Sequence, residues 1–359
     1  MKFVKTIFSL TALSAAAGTW AAEPATYRCE RLAIDKGFAY NINDHGVVAG
    51  TIPVKGEGWY PAVWRHRKME TLPQVAGFEQ ATNVAYAINR RGDLAGYVND
   101  QGYQLAAVWI DGVGKTLPPF TNAAAPSSQA VAINDRGHAV GYSTNAEFHQ
   151  HAALWKYGHV IDLGALESDH GAHKTNSFAS DINASGMVVG SSESRTALRR
   201  AVQWTDGTRD SMVDLGATAY GDQSEALAVN SAGVVVGYST IGDFSQPNRP
   251  IGWIGGVSFD LKPFAGANSS EARDINDAGT VVGRRDDGAL GAAIVWPHYG
   301  DSPIDLNTLL DADGCRGSNG HVYRLTAGIA INNNGEILAG SFVFPHDATF
   351  RLVPLSKHR

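Results

Sequence analysis

The chain has 359 residues, with 29 Lys and Arg against 35 Asp and Glu, a formal charge of −6. Apolar residues make up 44% and charged residues 18%, a balance that excludes a disordered chain, while the acidic surplus excludes a nucleic-acid binder working through bulk electrostatics. Glycine is abundant at 40 and methionine scarce at 4, which favours turns and strands over long helices.

The first element is an address. Lys2 and Lys5 form a basic start, residues 7–17 an apolar stretch too short to span a bilayer, and Thr19-Trp20-Ala21 a small-x-small cleavage site. Residues 1–21 are read as a secretory signal peptide, which leaves a mature chain of 22–359. Losing two lysines takes its charge from −6 to −8. The expected product is soluble, periplasmic or secreted, with no membrane span and no nucleic-acid partner, and monomeric. Its cysteines, Cys29 and Cys315, meet oxidising conditions, so they form either a disulfide or two separate thiols.

A strand is predicted over 27–32, followed by seven copies of one pattern. They are Ala39 to Gly46, Ala85 to Gly92, Ala130 to Gly137, Ala179 to Gly186, Ala226 to Gly233, Ala272 to Gly279 and Gly328 to Gly335. Each carries Ile-Asn-x-x-Gly or Val-Asn-x-x-Gly, and the Asn-to-Asn steps are 46, 45, 49, 47, 46 and 56 residues. The Asn side chain accepts from the backbone of the turn and the Gly takes the left-handed conformation, so each motif closes a hairpin. An apolar strand ending in Gly follows, as in Val47 to Gly50 and Val234 to Gly237. A third strand ends in Trp64, Trp109, Trp155, Trp204, Trp253 or Trp296, with Phe350-Arg351 in the seventh copy. A short fourth strand carries Leu72, Leu117, Leu163, Leu215, Leu261 or Leu306.

Four strands in about 46 residues is the size of a propeller blade. The fold expected is all-β, a single seven-bladed β-propeller domain over 22–359. The last copy lacks a fourth strand, and the N-terminal strand is spare, so it is expected to complete blade seven from outside. Cys29 lies on that strand and Cys315 in the insertion before blade seven, so a bond between them would staple the ring. A β-solenoid is the rival architecture, disfavoured because hairpins dominate.

The motif Ala-x-x-Ile-Asn-x-x-Gly-x-Val-Val-Gly, its Trp and Asp-Leu runs, and Asp305 to Leu310 resemble the HAF-repeat, or probable extracellular repeat, family. The resemblance covers roughly residues 27–355. It implies an exported bacterial propeller-like protein, and it supplies no reaction and no catalytic residues.

With the N-terminal strand outermost, the Ala-x-x-Ile-Asn strand is innermost, and the longer loops lie on the face opposite the Asn turns. Function is sought on that loop face. The repeated Asn and Gly are assigned to structure. The Trp residues are assigned to packing between blades, the alternative being sugar platforms. Six histidines cluster in the third copy and its exit. Of these, His149, His151, His170 and His173, with Asp169, have the donor types for Zn²⁺ without the spacing of a closed motif; exposed polar loops are the alternative. Asp311-Ala312-Asp313-Gly314 begins like a calcium loop and lacks its later carboxylates. No cofactor is predicted beyond these Ca²⁺ and Zn²⁺ candidates.

Two residues before the Asn, four copies have Ala, whereas Asp181, Asp274 and Asn41 stand in the others. Glu225 and Glu271 stand five before. These four carboxylates are the catalytic candidates, as an acid–base set at a channel mouth suited to glycoside or uronate chemistry, with Arg-paired acids as the alternative. No Gly-x-Ser-x-Gly, His-Glu-x-x-His or phosphate loop is present. The functions expected are a scaffold binding a protein or glycan partner, a carbohydrate hydrolase or lyase, or a structural envelope component.

Overall fold

The computed structural model describes residues 25–32, 37–56, 58–65, 68–79, 81–100, 102–120, 127–166, 175–194, 198–217, 221–240, 247–288, 291–317, 320–342 and 348–355. The signal peptide assigned to 1–21 lies outside them.

Seven four-stranded antiparallel sheets form the blades of a β-propeller. The inner strands are Phe38–Ile42, Thr82–Ile88, Ser128–Ile133, Ser177–Ile182, Gln223–Val229, Ser269–Ile275 and Ala327–Ile331. In blades one to six the remaining three strands follow outward in chain order. In blade seven the outermost strand is Tyr27–Arg31, which pairs antiparallel with Ala348–Pro354, Cys29 opposite Leu352. Cys29 and Cys315 form a disulfide with Cα atoms 5.1 Å apart. The insertion also guards the outer edge of the closing strand, because Tyr27 bridges to Leu310 and packs in a cluster with Cys315, Tyr323 and Leu325.

The repeated asparagine is the clasp of the ring. Its Oδ1 accepts backbone N–H groups of its own turn, as from His45 and Val47 onto Asn43. Its Nδ2 donates to the backbone carbonyl of the next blade's asparagine. These bonds run Asn43, Asn89, Asn134, Asn183, Asn230, Asn276, Asn332 and back to Asn43, a closed circle of seven at 2.8–3.2 Å. The turn glycine is left-handed in all seven, from φ +68° at Gly46 to +102° at Gly186.

The tryptophans pack between blades. Trp64, Trp109, Trp204, Trp253 and Trp296 are among the largest fully buried side chains, and Trp155 is buried too. The indoles of Trp109, Trp155, Trp204, Trp253 and Trp296 each donate, at 2.8–2.9 Å, to a carbonyl of the preceding blade's exit segment. Register refines the seventh copy: Trp64 faces Val48 and Trp296 faces Val281, and Leu352 faces the matching Ile337. Leu352 therefore takes the tryptophan position and Phe350 sits two residues earlier, because the disulfide-linked strand and insertion cover this flank.

Candidate functional site at the loop-face mouth of the channel

Every inner strand carries a β-bulge at one place, between the residues four and two before the Asn. The residue left over is Tyr40, Tyr86, Val131, Ser180, Leu227, Arg273 or Ile329. Each is half-buried, whereas the residue before it is buried in every blade. A bulge re-aims a side chain, and here it turns one residue per blade into the channel. The bulge also explains the second glycine of the motif. A Cβ at Gly50, Gly96, Gly141, Gly190, Gly237 or Gly283 would lie 1.8–2.0 Å from the carbonyl oxygen five before the Asn, so no larger residue fits.

On the loop face this arrangement builds two arcs. In blades one to four, Trp59 stacks on Phe38 at 5.8 Å, Phe38 on Tyr40 at 6.2 Å, Tyr40 meets Tyr86 at 5.0 Å and Tyr86 meets Tyr97 at 5.6 Å. Tyr142 meets Phe178 at 5.6 Å, and the Arg199 guanidinium lies over the Phe178 ring at 5.6 Å. Gln104 ties the arc by accepting from Gln129 at 2.7 Å and from the Tyr142 hydroxyl at 3.3 Å. Burial, with Tyr97 adding, pushes the Tyr40 hydroxyl up to about 12; burial raises Tyr86 as well. These phenols are neutral donors.

Blades four to six supply charge. Arg199 Nη1 contacts Glu225, and Tyr238 donates to the same carboxylate, with burial and that charge raising the phenol. Glu271 is buried and held by Arg273 and Arg284, each at 2.7 Å. Asn248 also donates to it at 3.2 Å. Glu225 and Glu271 are therefore arginine-paired acids on one arc, with three guanidinium groups to two carboxylates.

Asp181 and Asp274 sit deeper. Asp181 accepts from its own blade at Ile182 (2.8 Å) and from the next at Val229 (2.9 Å). Asp274 does the same with Ile275 and Ile331, both at 2.8 Å. They are rivets between blades. Burial pushes Asp181 up to about 6 and Asp274 up to about 7; the Asp181 charge adds to the latter. Folding thus favours their protonated forms. This contribution is full at low pH and is lost as pH rises from about 4 to about 7. The loss is on the order of a few kcal/mol, shared between the two groups. We expect the melting temperature to fall across that range, and Asp274→Ala, the residue at this position in four other blades, to flatten the fall. Melts at stepped pH check this; a steeper fall in the variant contradicts it.

Among the histidines, His151 is fully buried, with Nδ1 2.9 Å from the Asp162 carboxylate and Nε2 3.4 Å from the Asn145 amide. His149 precedes the strand Gln150–Lys156, and its backbone N–H donates to Asn145. Asp169, His170 and His173 lie outside the described residues. Asp311 and Gly314 close a backbone turn at 3.0 Å. Among the described residues no three His, Cys, Asp or Glu side chains are grouped as metal donors.

The aromatic arc escapes a sequence reading, since its rings come from separate places in the repeat: Tyr40 and Tyr86 three before the Asn, Phe38 and Phe178 five before it, Tyr97 and Tyr142 after the second glycine. The motif's second glycine marks the bulge that aims Tyr40 and Tyr86.

Residues 116–254 match the family model DUF3466, a protein of unknown function. No curated protein matches the chain. Among solved structures the chain is similar to the acylaminoacyl peptidase of Pyrococcus horikoshii, at TM-score 0.51 and 11% identity, over 88% of this chain and 51% of that one. It is similar to the β-propeller domain of the trilobed protease from Pyrococcus furiosus, at TM-score 0.48 and 10% identity, over 90% and 99%. TolB from Acinetobacter baumannii matches at TM-score 0.45 and 11% identity, over 72% and 62%. The chain spans about half the length of the peptidase and under two thirds of TolB. At such identities the likeness is one of fold.

Proposed function

We propose that this protein is an exported propeller scaffold of the HAF-repeat type that binds a glycan at the loop-face mouth of its channel. The observation that carries this reading is the aromatic arc from Trp59 to Phe178, facing the Arg199, Arg273 and Arg284 side. Half-exposed rings offer flat apolar faces to the C–H faces of sugars. Tyrosine hydroxyls and Gln104 suit sugar hydroxyls, and the guanidinium surplus suits an acidic sugar. The disulfide agrees with export to an oxidising compartment.

Affinity electrophoresis tests this in gels holding alginate, polygalacturonate, hyaluronan or neutral xylan. Retardation by at least one acidic polymer is expected, weakened about tenfold in Kd by Tyr86→Ala or Phe178→Ala, the cost of one lost stacking anchor. Retardation unchanged in both variants, or none in any gel, contradicts the reading. The second reading, a hydrolase or lyase, is favoured by the direct contact of Tyr238 with Glu225, a donor and an acceptor at the same arc. Reducing ends or unsaturated products, lost in Glu225→Gln, would select it.

A further inference from the structure

On the opposite face, in the groove between blades two and three, lies a cavity of about 250 Å³ beside the Asn134 turn. Its apolar lining includes Val108, Leu117 and Trp155. Its polar lining is cationic, with Lys115, Arg136 and Lys156 and no carboxylate. Neither lysine has an ion-pair partner among the described residues.

Two further features point at this cavity. His138, which lines it, is only 7% exposed, and its Nε2 has no hydrogen-bond partner. Burial, with Lys156 and Arg136 adding, lowers its pKa, so the ring is neutral. Tyr157 stands edge-on over His138 with centroids 5.0 Å apart. It is 82% exposed and occupies a left-handed backbone position at φ +54°. That position belongs to a two-residue hairpin turn, where blade two has Asp111-Gly112 and blade five Gly255-Gly256, also left-handed. Asp and Gly suit such a turn, whereas a large aromatic is strained there, and strain of this kind collects at ligand clamps. The turn alone does not call for Tyr157; a ring over His138 does.

We propose that this groove binds a compact organic anion, a carboxylate or sulfate carried on a flat apolar body. The anionic head meets Lys115, Arg136 and Lys156, the body lies on Trp155 and Leu117, and Tyr157 closes over it, leaving His138 Nε2 to complete the polar contacts. This site is separate from the glycan mouth and does not depend on it.

Calorimetric titration of the purified full chain tests the proposal with benzoate, phenyl sulfate and the neutral benzamide. At least one anion is expected to bind with a Kd of about 1 mM or tighter, and benzamide about tenfold more weakly. The double charge reversal Lys115→Glu and Lys156→Glu, at positions not in the core, is expected to weaken the anion about tenfold or more. Tyr157→Asn is expected to weaken it about threefold while leaving the melting temperature equal or higher, because Asn tolerates the left-handed turn. A purely structural Tyr157 would lower the melting temperature and leave binding unchanged. Absence of saturable anion binding, equal binding of benzamide, or binding untouched by the charge reversal overturns the proposal.

Discussion

Replacing Cys29 and Cys315 together by alanine is expected to lower the stability of the oxidised protein by about 4–5 kcal/mol. The bond joins residues 286 positions apart, so its loss frees nearly the whole unfolded chain. In the folded state it pins the strand on which closure depends, Tyr27–Arg31, against the insertion that also supplies Leu310 and Tyr323. Chemical denaturation of the two forms measures the difference. Hydrogen exchange should rise first in Tyr27–Arg31, which the bond pins to the insertion, and in Ala348–Pro354, which pairs with it. An unchanged midpoint, or faster exchange spread evenly over all blades, contradicts this account of closure.

Asn183→Ala is expected to cost roughly 3–4 kcal/mol. Asn183 Oδ1 accepts from the backbone N–H groups of Ser185, Gly186 and Met187 at 3.0–3.1 Å, and from the Ser185 hydroxyl. Its Nδ2 donates to the Asn230 carbonyl at 3.0 Å. Alanine removes all of these bonds at the inner rim of two blades, leaving the Gly186 N–H and the Asn230 carbonyl only their backbone turn partners. Asn183→Asp keeps the acceptor but turns a carboxylate on the Asn230 carbonyl, so it should remain destabilising and become worse as pH rises. Denaturation at two pH values separates the two roles. An aspartate variant as stable as the parent would mean that the circle of asparagines carries no energy between blades.

The ring, the blade count and the closing strand were legible because each follows from a repeated local demand. Asn-x-x-Gly can close only a particular turn, and seven such turns at near-constant spacing leave one spare strand and one blade short of a strand. The pairing of Cys29 with Cys315 followed from the same bookkeeping of ends. The site was harder. Glu225 and Glu271 stood out as departures from the repeat, and the structure places them on one arc; Arg273 pairs with Glu271 from two residues along the same strand, but Arg199 and Arg284 come from other strands. Arg199 begins a third strand of blade four, and Arg284 lies on the second strand of blade six, positions that no local spacing links. Tyr40 and Tyr86 were hidden by the bulge, which breaks the two-residue alternation by which side chains are assigned to a face. His149 and His151 show how residue type alone leaves the surroundings open. Both have the donor type for Zn²⁺, but His149 precedes the strand that begins at Gln150, and His151 is spent on Asp162 in the interior.

The assignment of the aromatic arc as a sugar platform is tested most directly at Trp59. The six repeated tryptophans are buried, whereas Trp59 is half-buried at the end of the arc. Its emission should report the mouth. In a titration with an alginate or polygalacturonate oligosaccharide, a saturable change in emission and protection from iodide quenching are expected. Both should vanish in Trp59→Phe and weaken about tenfold in Phe178→Ala. Saturable binding by calorimetry with no change at Trp59, and with full affinity in both variants, would place the ligand elsewhere and contradict the account.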